Sequence, residues 1–179
     1  MAEFLWIFWS FSLLGWVLER LFAAVTRSPQ RRRRCLLLLP LCPVYGLGMA
    51  AVLALPPSLR SGWPLYLWGG LTATSVEYIY HWWGETFLSV SFWDYTGVFG
   101  NLRGRVCLPF SLAWGLLLFP AVYLVTPPVV ALADRVPVGV TWWLLLAFTA
   151  DAVCSLRFLA VTHDLEALRA VIWPVSGDR

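Results

Sequence analysis

Val106-Cys107-Leu108-Pro109-Phe110-Ser111-Leu112-Ala113-Trp114-Gly115-Leu116-Leu117-Leu118-Phe119-Pro120-Ala121-Val122-Tyr123-Leu124-Val125 is a stretch of twenty residues without a charge. At 1.5 Å rise per residue it makes a helix about 30 Å long, the thickness of a bilayer's hydrocarbon core. Working outward, Phe4–Val25, Cys35–Leu55, Trp63–Leu88 and Gly139–Thr162 have the same apolar character. Breakers separate them: Arg27-Ser28-Pro29, Pro56-Pro57, the glycines Gly97, Gly100 and Gly104, and Pro127-Pro128. The pattern predicts an all-α integral membrane bundle of about five transmembrane helices. Residues 1–179 then form a single transmembrane domain, with loops at 26–34 and 89–105 and a tail at 163–179.

Composition agrees. Hydrophobic residues make up 60% of the chain and charged ones 13%, with mean hydropathy +0.72. Soluble domains average about 45–50% apolar and about 25% charged. A water-soluble fold of this size could not hide so much apolar surface.

Every one of the 13 cationic residues is Arg. Without Lys there is no Walker A loop and no lysine Schiff base, so any ATP that drives this protein must be bound by another chain. The net charge of +3 sits mostly in Arg31 to Arg34 and reads as a topology signal, not as nucleic-acid binding. With the first loop cytoplasmic, the inner side receives Arg27, Arg31–Arg34, Arg103, Arg105, Arg169 and Arg179, and the outer side only Arg60 and Arg135. The N-terminus is then outside and the C-terminus cytoplasmic. The start, Met1-Ala2-Glu3, lacks the positive region of a cleaved signal peptide. Aromatic pairs such as Trp82/Trp83 and Trp142/Trp143 suit helix ends at the headgroups. Cys35, Cys42, Cys107 and Cys154 show no spacing that suggests zinc or a disulfide framework, so they are expected to pack as small hydrophobes.

Charged groups inside a bilayer are costly and mark candidate sites. Glu77 and Asp151 fall near mid-membrane, and Glu19, Glu85 and Arg157 lie nearer the cytoplasmic side. Glu77, His81 and Glu85 are spaced i, i+4, i+8 and share one helix face. That stack could ligate a divalent cation, relay protons, or simply hydrogen-bond to Trp, Tyr and Arg on neighbouring helices; no resident metal or cofactor is expected. Arg157 is the cation expected to pair with Glu19, Glu85 or Asp151. Gly15 lies one turn before Glu19, where a small residue lets another helix approach.

Trp93-Asp94-Tyr95 is followed by Gly97, Gly100, Asn101, Arg103, Gly104 and Arg105, just before the fourth helix. Its glycines allow tight turns, and two arginines near a helix N-terminus suit a phosphate or lipid headgroup; an ordinary cytoplasmic turn is the alternative. In the second segment Pro40, Pro43, Gly46 and Gly48 flank Cys42 and Tyr45, so that helix is expected to be kinked or broken. The tail Asp164–Trp173 is either a short amphipathic helix on the inner leaflet or an extension of the fifth helix.

Together these residues resemble the ABC-transporter type IV permease family of small bacterial membrane proteins. The resemblance rests on Leu14-Gly15-Trp16-Val17-Leu18-Glu19, Cys42-Pro43-Val44-Tyr45-Gly46-Leu47-Gly48, Glu77-Tyr78 with Glu85, Trp93-Asp94-Tyr95, Asn101 through Leu108, and Trp114-Gly115. It covers roughly residues 4–125 and, more loosely, the fifth helix around Asp151. Leu39 and His81 depart from the family pattern. The resemblance implies a membrane transport component of the bacterial inner membrane, without its own ATPase, that works with a separate ATPase subunit or as a homo- or hetero-oligomer. A small intramembrane lipid- or isoprenoid-modifying enzyme and a non-catalytic assembly subunit are the competing readings. Gly-x-Ser-x-Gly and His-Glu-x-x-His motifs are both lacking.

Overall fold

The structure, a computed structural model, describes residues 2–26 and 35–170. The loop carrying Arg31–Arg34 and the tail from residue 171, with Trp173 and Arg179, lie outside the described residues. Secondary structure among the described residues is helical apart from one isolated β-bridge, Leu102 to Val106.

Helix α1 spans Ala2–Thr26. Residues 35–42 then run back along it in a bent, non-helical conformation, and α2 follows over Pro43–Leu53. The second segment is therefore broken, as its prolines require. Pro43 stands in the first turn of α2, where the missing N–H costs nothing. After a 3₁₀ turn at Pro57–Leu59, the segments Gly62–Pro64, Leu65–Gly69, Gly70–Trp83 and Gly84–Leu88 follow without interruption as α3 (62–88), the second and fourth in π-helical register. Helix α4 (108–133) joins Leu108–Pro120, the π-turn Ala121–Val125 and Thr126–Ala133. Pro127 and Pro128 do not end it. They fall in the first turn after the π segment, where the Thr126 hydroxyl donates to the Ala121 carbonyl at 2.8 Å. Helix α5 spans Val138–Thr162 and α6 spans Leu165–Ala170.

Three helices are long and apolar enough to cross a membrane: Ala2–Thr26, Leu108–Ala133 and Val138–Thr162. In the last two only 11% of the most apolar window is buried. Leu116, Leu124, Trp143 and Val161 are all exposed. Such a surface belongs in hydrocarbon, because water would drive it to aggregate.

Two clusters make the interior. Ile7, Phe11, Met49, Val52, Leu65 and Leu118 join α1, α2, α3 and α4 at one end. Leu37, Leu88, Phe92, Trp93, Cys107 and Leu159 form the other, beneath the 89–107 loop. Helix α6 is capped by Asp164, whose Oδ1 accepts from Glu166 N and Ala167 N at 2.8 and 3.1 Å. Its Leu165 and Leu168 are buried in that second cluster. The tail helix is thus distinct from α5, which stops at His163 in left-handed conformation.

The cysteine expectation needs one correction. Cys35 and Cys42 form a disulfide, with Cα atoms 5.1 Å apart. Seven residues along an intact helix would separate them by about 10 Å. The break in the second segment is what brings them together, and spacing read as helix could not reveal it. Cys107, buried, and Cys154, exposed, stand outside this disulfide.

Candidate functional site

Helix α3 carries Glu77, His81 and Glu85 down one face, and the 89–107 loop folds back over that face. Glu77 is buried, and its two oxygens accept from Tyr95 Oη at 3.2 Å and Trp114 Nε1 at 2.8 Å. One carboxylate thus ties α3 to the loop and to α4. A turn further on, buried His81 sets Nε2 3.1 Å from Glu85 Oε1 and 3.3 Å from Ser91 Oγ. Its ring meets Trp93 edge-on at 4.7 Å. The other oxygen of Glu85 accepts from Arg105 Nε at 2.7 Å, and Arg105 Nη1 donates to Tyr78 Oη at 2.8 Å. The guanidinium also stands over the Tyr78 ring, 5.1 Å from its centre. The Glu85 hydrogen bond, and then that of Tyr78, make Arg105 hold its proton still more tightly than usual.

The loop is a built object. Tyr95 N donates to Gly104 O at 2.8 Å, Leu102 N to Val106 O at 2.9 Å, and Trp93 Nε1 to Arg105 O at 2.7 Å. Asn101 accepts from Gly104 N and donates to Val98 O. Gly104 has φ +70°, and a Cβ there would stand 2.8 Å from Thr96 Oγ1 and 3.0 Å from Asp94 Oδ1. Asp94 accepts from both the hydroxyl and the backbone N–H of Thr96. Those two bonds, the hydroxyl's first, hold its carboxyl below the usual carboxylate range. Trp93-Asp94-Tyr95 and Asn101 through Arg105 are therefore the two arms of one folded unit. Arg103 is exposed and left-handed at φ +53°, while Arg105 turns toward Glu85.

On the facing side, Tyr45 of α2 donates to Glu19 of α1. Gly15 makes that contact possible: a Cβ on it would fall 2.2 Å from Tyr45 Cγ. The Tyr45 ring meets Trp114 edge-on at 5.1 Å. This pair divides two adjoining cavities that share Leu18, Tyr45, Trp114 and Leu117. One, about 320 Å³, is almost wholly apolar with Glu77 in its wall; the other, about 620 Å³, has Glu19 and Asp94 among its lining.

Asp151 of α5 has a different task. Its oxygens accept from Leu38 N at 3.1 Å and Leu39 N at 3.0 Å, and Ser155 Oγ adds a bond at 3.0 Å. It supplies acceptors to the non-helical stretch that Pro40 leaves without a ladder. Gly46 packs against Phe8 O and Ser12 Oγ, and Cys42 N donates to Ser12 O at 2.9 Å. Arg157 is exposed, and Glu85 and Asp151 have other partners. Among the described residues no group of three or more His, Cys, Asp or Glu is placed to hold a metal ion.

Residues passed over as site candidates were Trp114, Tyr78, Ser91 and Thr96. Trp114 had a legible signal, being a polar-tipped ring in the middle of an otherwise apolar run. Tyr78 stood in the sequence only as part of the family resemblance, and nothing marked Ser91 or Thr96, because their roles depend on how the loop folds back.

An all-α bundle with a lipid-facing exterior, a broken second segment and a few buried polar side chains such as Glu77 and His81 defines a helical membrane protein. No curated protein and no solved structure was found to match the chain. The family described as "Putative ABC-transporter type IV" matches residues 6–156, and the chain belongs to that family.

Proposed function

We propose that this chain is a permease-like transport subunit of a bacterial inner membrane, working with a separate ATPase. The observation that carries this reading is a partly open groove lined by buried and exposed residues alike. Two cavities meet at Tyr45 and Trp114, run between α1 and α4, and present Glu77 on one side and Glu19 with Asp94 on the other. Family membership over residues 6–156 supports the same class. The chain crosses five times with the N-terminus outside. The three apolar helices account for three crossings, α3 for a fourth, and residues 35–53 for the fifth, half extended and half helical. Non-helical backbone at membrane depth is tolerated only where protein satisfies it, which is what Asp151 does for Leu38 and Leu39. The 89–107 loop and α6 are then the cytoplasmic surfaces available to an ATPase.

The enzyme reading fares worse, since Arg105, one of the two arginines it assigns with Arg103 to a phosphate, is already committed to Glu85 and Tyr78. The test is affinity purification of the tagged protein from native membranes in mild detergent, followed by mass spectrometry. A stoichiometric ATPase is expected. A homo-oligomer carrying one lipid species and no ATPase would overturn the proposal.

A further inference from the structure

We infer that the smaller cavity is a slot for one hydrocarbon chain of a bilayer phospholipid. The inference concerns what the groove binds, goes beyond the permease reading and does not depend on it. The space, about 320 Å³, is lined by Leu14, Val17 and Leu21 of α1 and by Leu117 and Val125 of α4. Gly48 of α2 lines it too. That glycine is buried, yet a Cβ built on it would meet nothing within 4 Å, so the backbone of α2 faces open space. Space walled by apolar groups does not hold water and takes up apolar molecules instead.

Length and access identify the occupant. The lining runs from Phe11 to Leu21 on α1 and from Trp114 to Val125 on α4. At 1.5 Å rise per residue each wall is about 15 Å long. That is half of a hydrocarbon core about 30 Å thick, the depth one acyl chain occupies in its own leaflet. Both helices are long and apolar enough to cross a membrane, and Leu14, Val17, Leu21 and Leu117 at the rim are exposed. The slot therefore opens sideways to bilayer hydrocarbon. Glu77 is the one charged group among its described lining residues, and its oxygens already accept from Tyr95 and Trp114. The wall thus asks for no polar group in its occupant. A chain inserted against Gly48 exchanges neighbouring lipid for protein walls on several sides, which a chain lying on an open helix face does not.

The experiment uses the full chain in nanodiscs of phosphatidylglycerol and phosphatidylethanolamine, doped with a phosphatidylcholine that carries a diazirine on one acyl chain. After irradiation, the cross-linked peptides are mapped by mass spectrometry. Adducts are expected to concentrate on residues 14–21 and 117–125, well above those on residues 142–144 of α5, which are exposed and report lipid that merely surrounds the protein. Gly48→Leu fills the slot from the α2 backbone. It is expected to cut the slot adducts roughly tenfold, the equivalent of about two buried methylenes, and to leave those on α5 unchanged. Val17→Trp, at the exposed rim, closes the mouth and is expected to act in the same direction, so the test survives if Gly48→Leu does not fold. Near-UV circular dichroism identifies the folded variants. Equal labelling of the slot and of α5, or undiminished labelling in a folded Gly48→Leu, would overturn the assignment and leave surrounding lipid only. Displacement of the probe by an added long-chain isoprenoid alcohol but not by unlabelled phospholipid would overturn it in favour of an isoprenoid. Labelling needs no ATPase, so a failed partner purification leaves this result standing, and a failed labelling result leaves the permease reading with another occupant for the groove.

Discussion

Replacing Asp151 by Ala withdraws both acceptors from Leu38 N and Leu39 N, at 3.1 and 3.0 Å, in a stretch that has no helical ladder of its own. Hydrogen bonds to a charged group contribute about 1.5–3 kcal/mol each, so the pair contributes about 3–6 kcal/mol. Against this, a neutral side chain escapes the cost of keeping a carboxylate at membrane depth, about 2.5–3.5 kcal/mol on insertion scales. Asp151 is half-buried and hydrogen-bonded to Ser155, so only part of that cost returns. The expected net loss is about 2–3 kcal/mol, roughly a 30- to 150-fold change in the folding equilibrium. Asp151→Asn separates the two terms. It is as neutral as Ala but keeps one acceptor oxygen, so it can satisfy Leu38 or Leu39 but not both. The Asn variant should therefore be more stable than the Ala variant by about one neutral hydrogen bond, about 0.5–1.5 kcal/mol. Unfolding in mixed detergent with increasing dodecyl sulfate, followed by tryptophan fluorescence, gives both differences. If Asp151→Ala unfolds within about 0.5 kcal/mol of the parent, below the value of one ordinary hydrogen bond, the carboxylate does not hold the segment and the reasoning fails.

Two further outcomes follow from contacts described above. Gly15→Ala places a Cβ 2.2 Å from Tyr45 Cγ, so Tyr45 must shift away from Glu19. Overpacking of this kind costs about 1–3 kcal/mol, and Tyr45→Ala in the Gly15→Ala background should recover part of it in the same unfolding assay. Asp94 has a folded-state pKa below its ordinary 3.8 because of the Thr96 bonds. Its contribution is therefore present above that value and lost as pH falls through the lower folded one. Thr96→Val, which removes the hydroxyl bond but not the backbone one, should raise the Asp94 midpoint toward 3.8 in a carboxyl-¹³C titration. An unmoved midpoint would mean that the hydroxyl is not its cause.

Much of the fold was legible because length and apolarity decide it. Phe4–Val25 became Ala2–Thr26, and Gly139–Thr162 became Val138–Thr162, each within two residues at either end. The break at Pro40 and Pro43 was legible too, since a missing N–H is a local fact. Its consequence was not. Whether Cys35 meets Cys42 depends on the path the chain takes once it leaves the helix, and sequence spacing does not encode that path. Pro127-Pro128 misled in the opposite direction, for a π-turn ahead of them lets the helix go on to Ala133. In the site, the i, i+4, i+8 face of α3 could be read directly. The partners of that face come from the loop and α4, at separations of 37 residues for Glu77–Trp114 and 20 for Glu85–Arg105, beyond any local pattern.

The same partners bear on which buried carboxylates are structural and which are available for work. Asp151 is filled by two backbone amides and a serine, Glu85 by Arg105 and His81, and neither lines the two cavities. Their positions follow from the costs of broken backbone and buried charge, which a structural role explains in full. Glu77 belongs to both classes. It anchors Tyr95 and Trp114, yet it is also the polar wall of the smaller cavity, and Trp114 lines both. Any ligand that displaces Trp114 therefore breaks a bond to Glu77, and any change in the charge of Glu77 is felt by the ring that divides the groove. The two cavities thus share one indole, and that indole is held by the carboxylate in the wall of the smaller one.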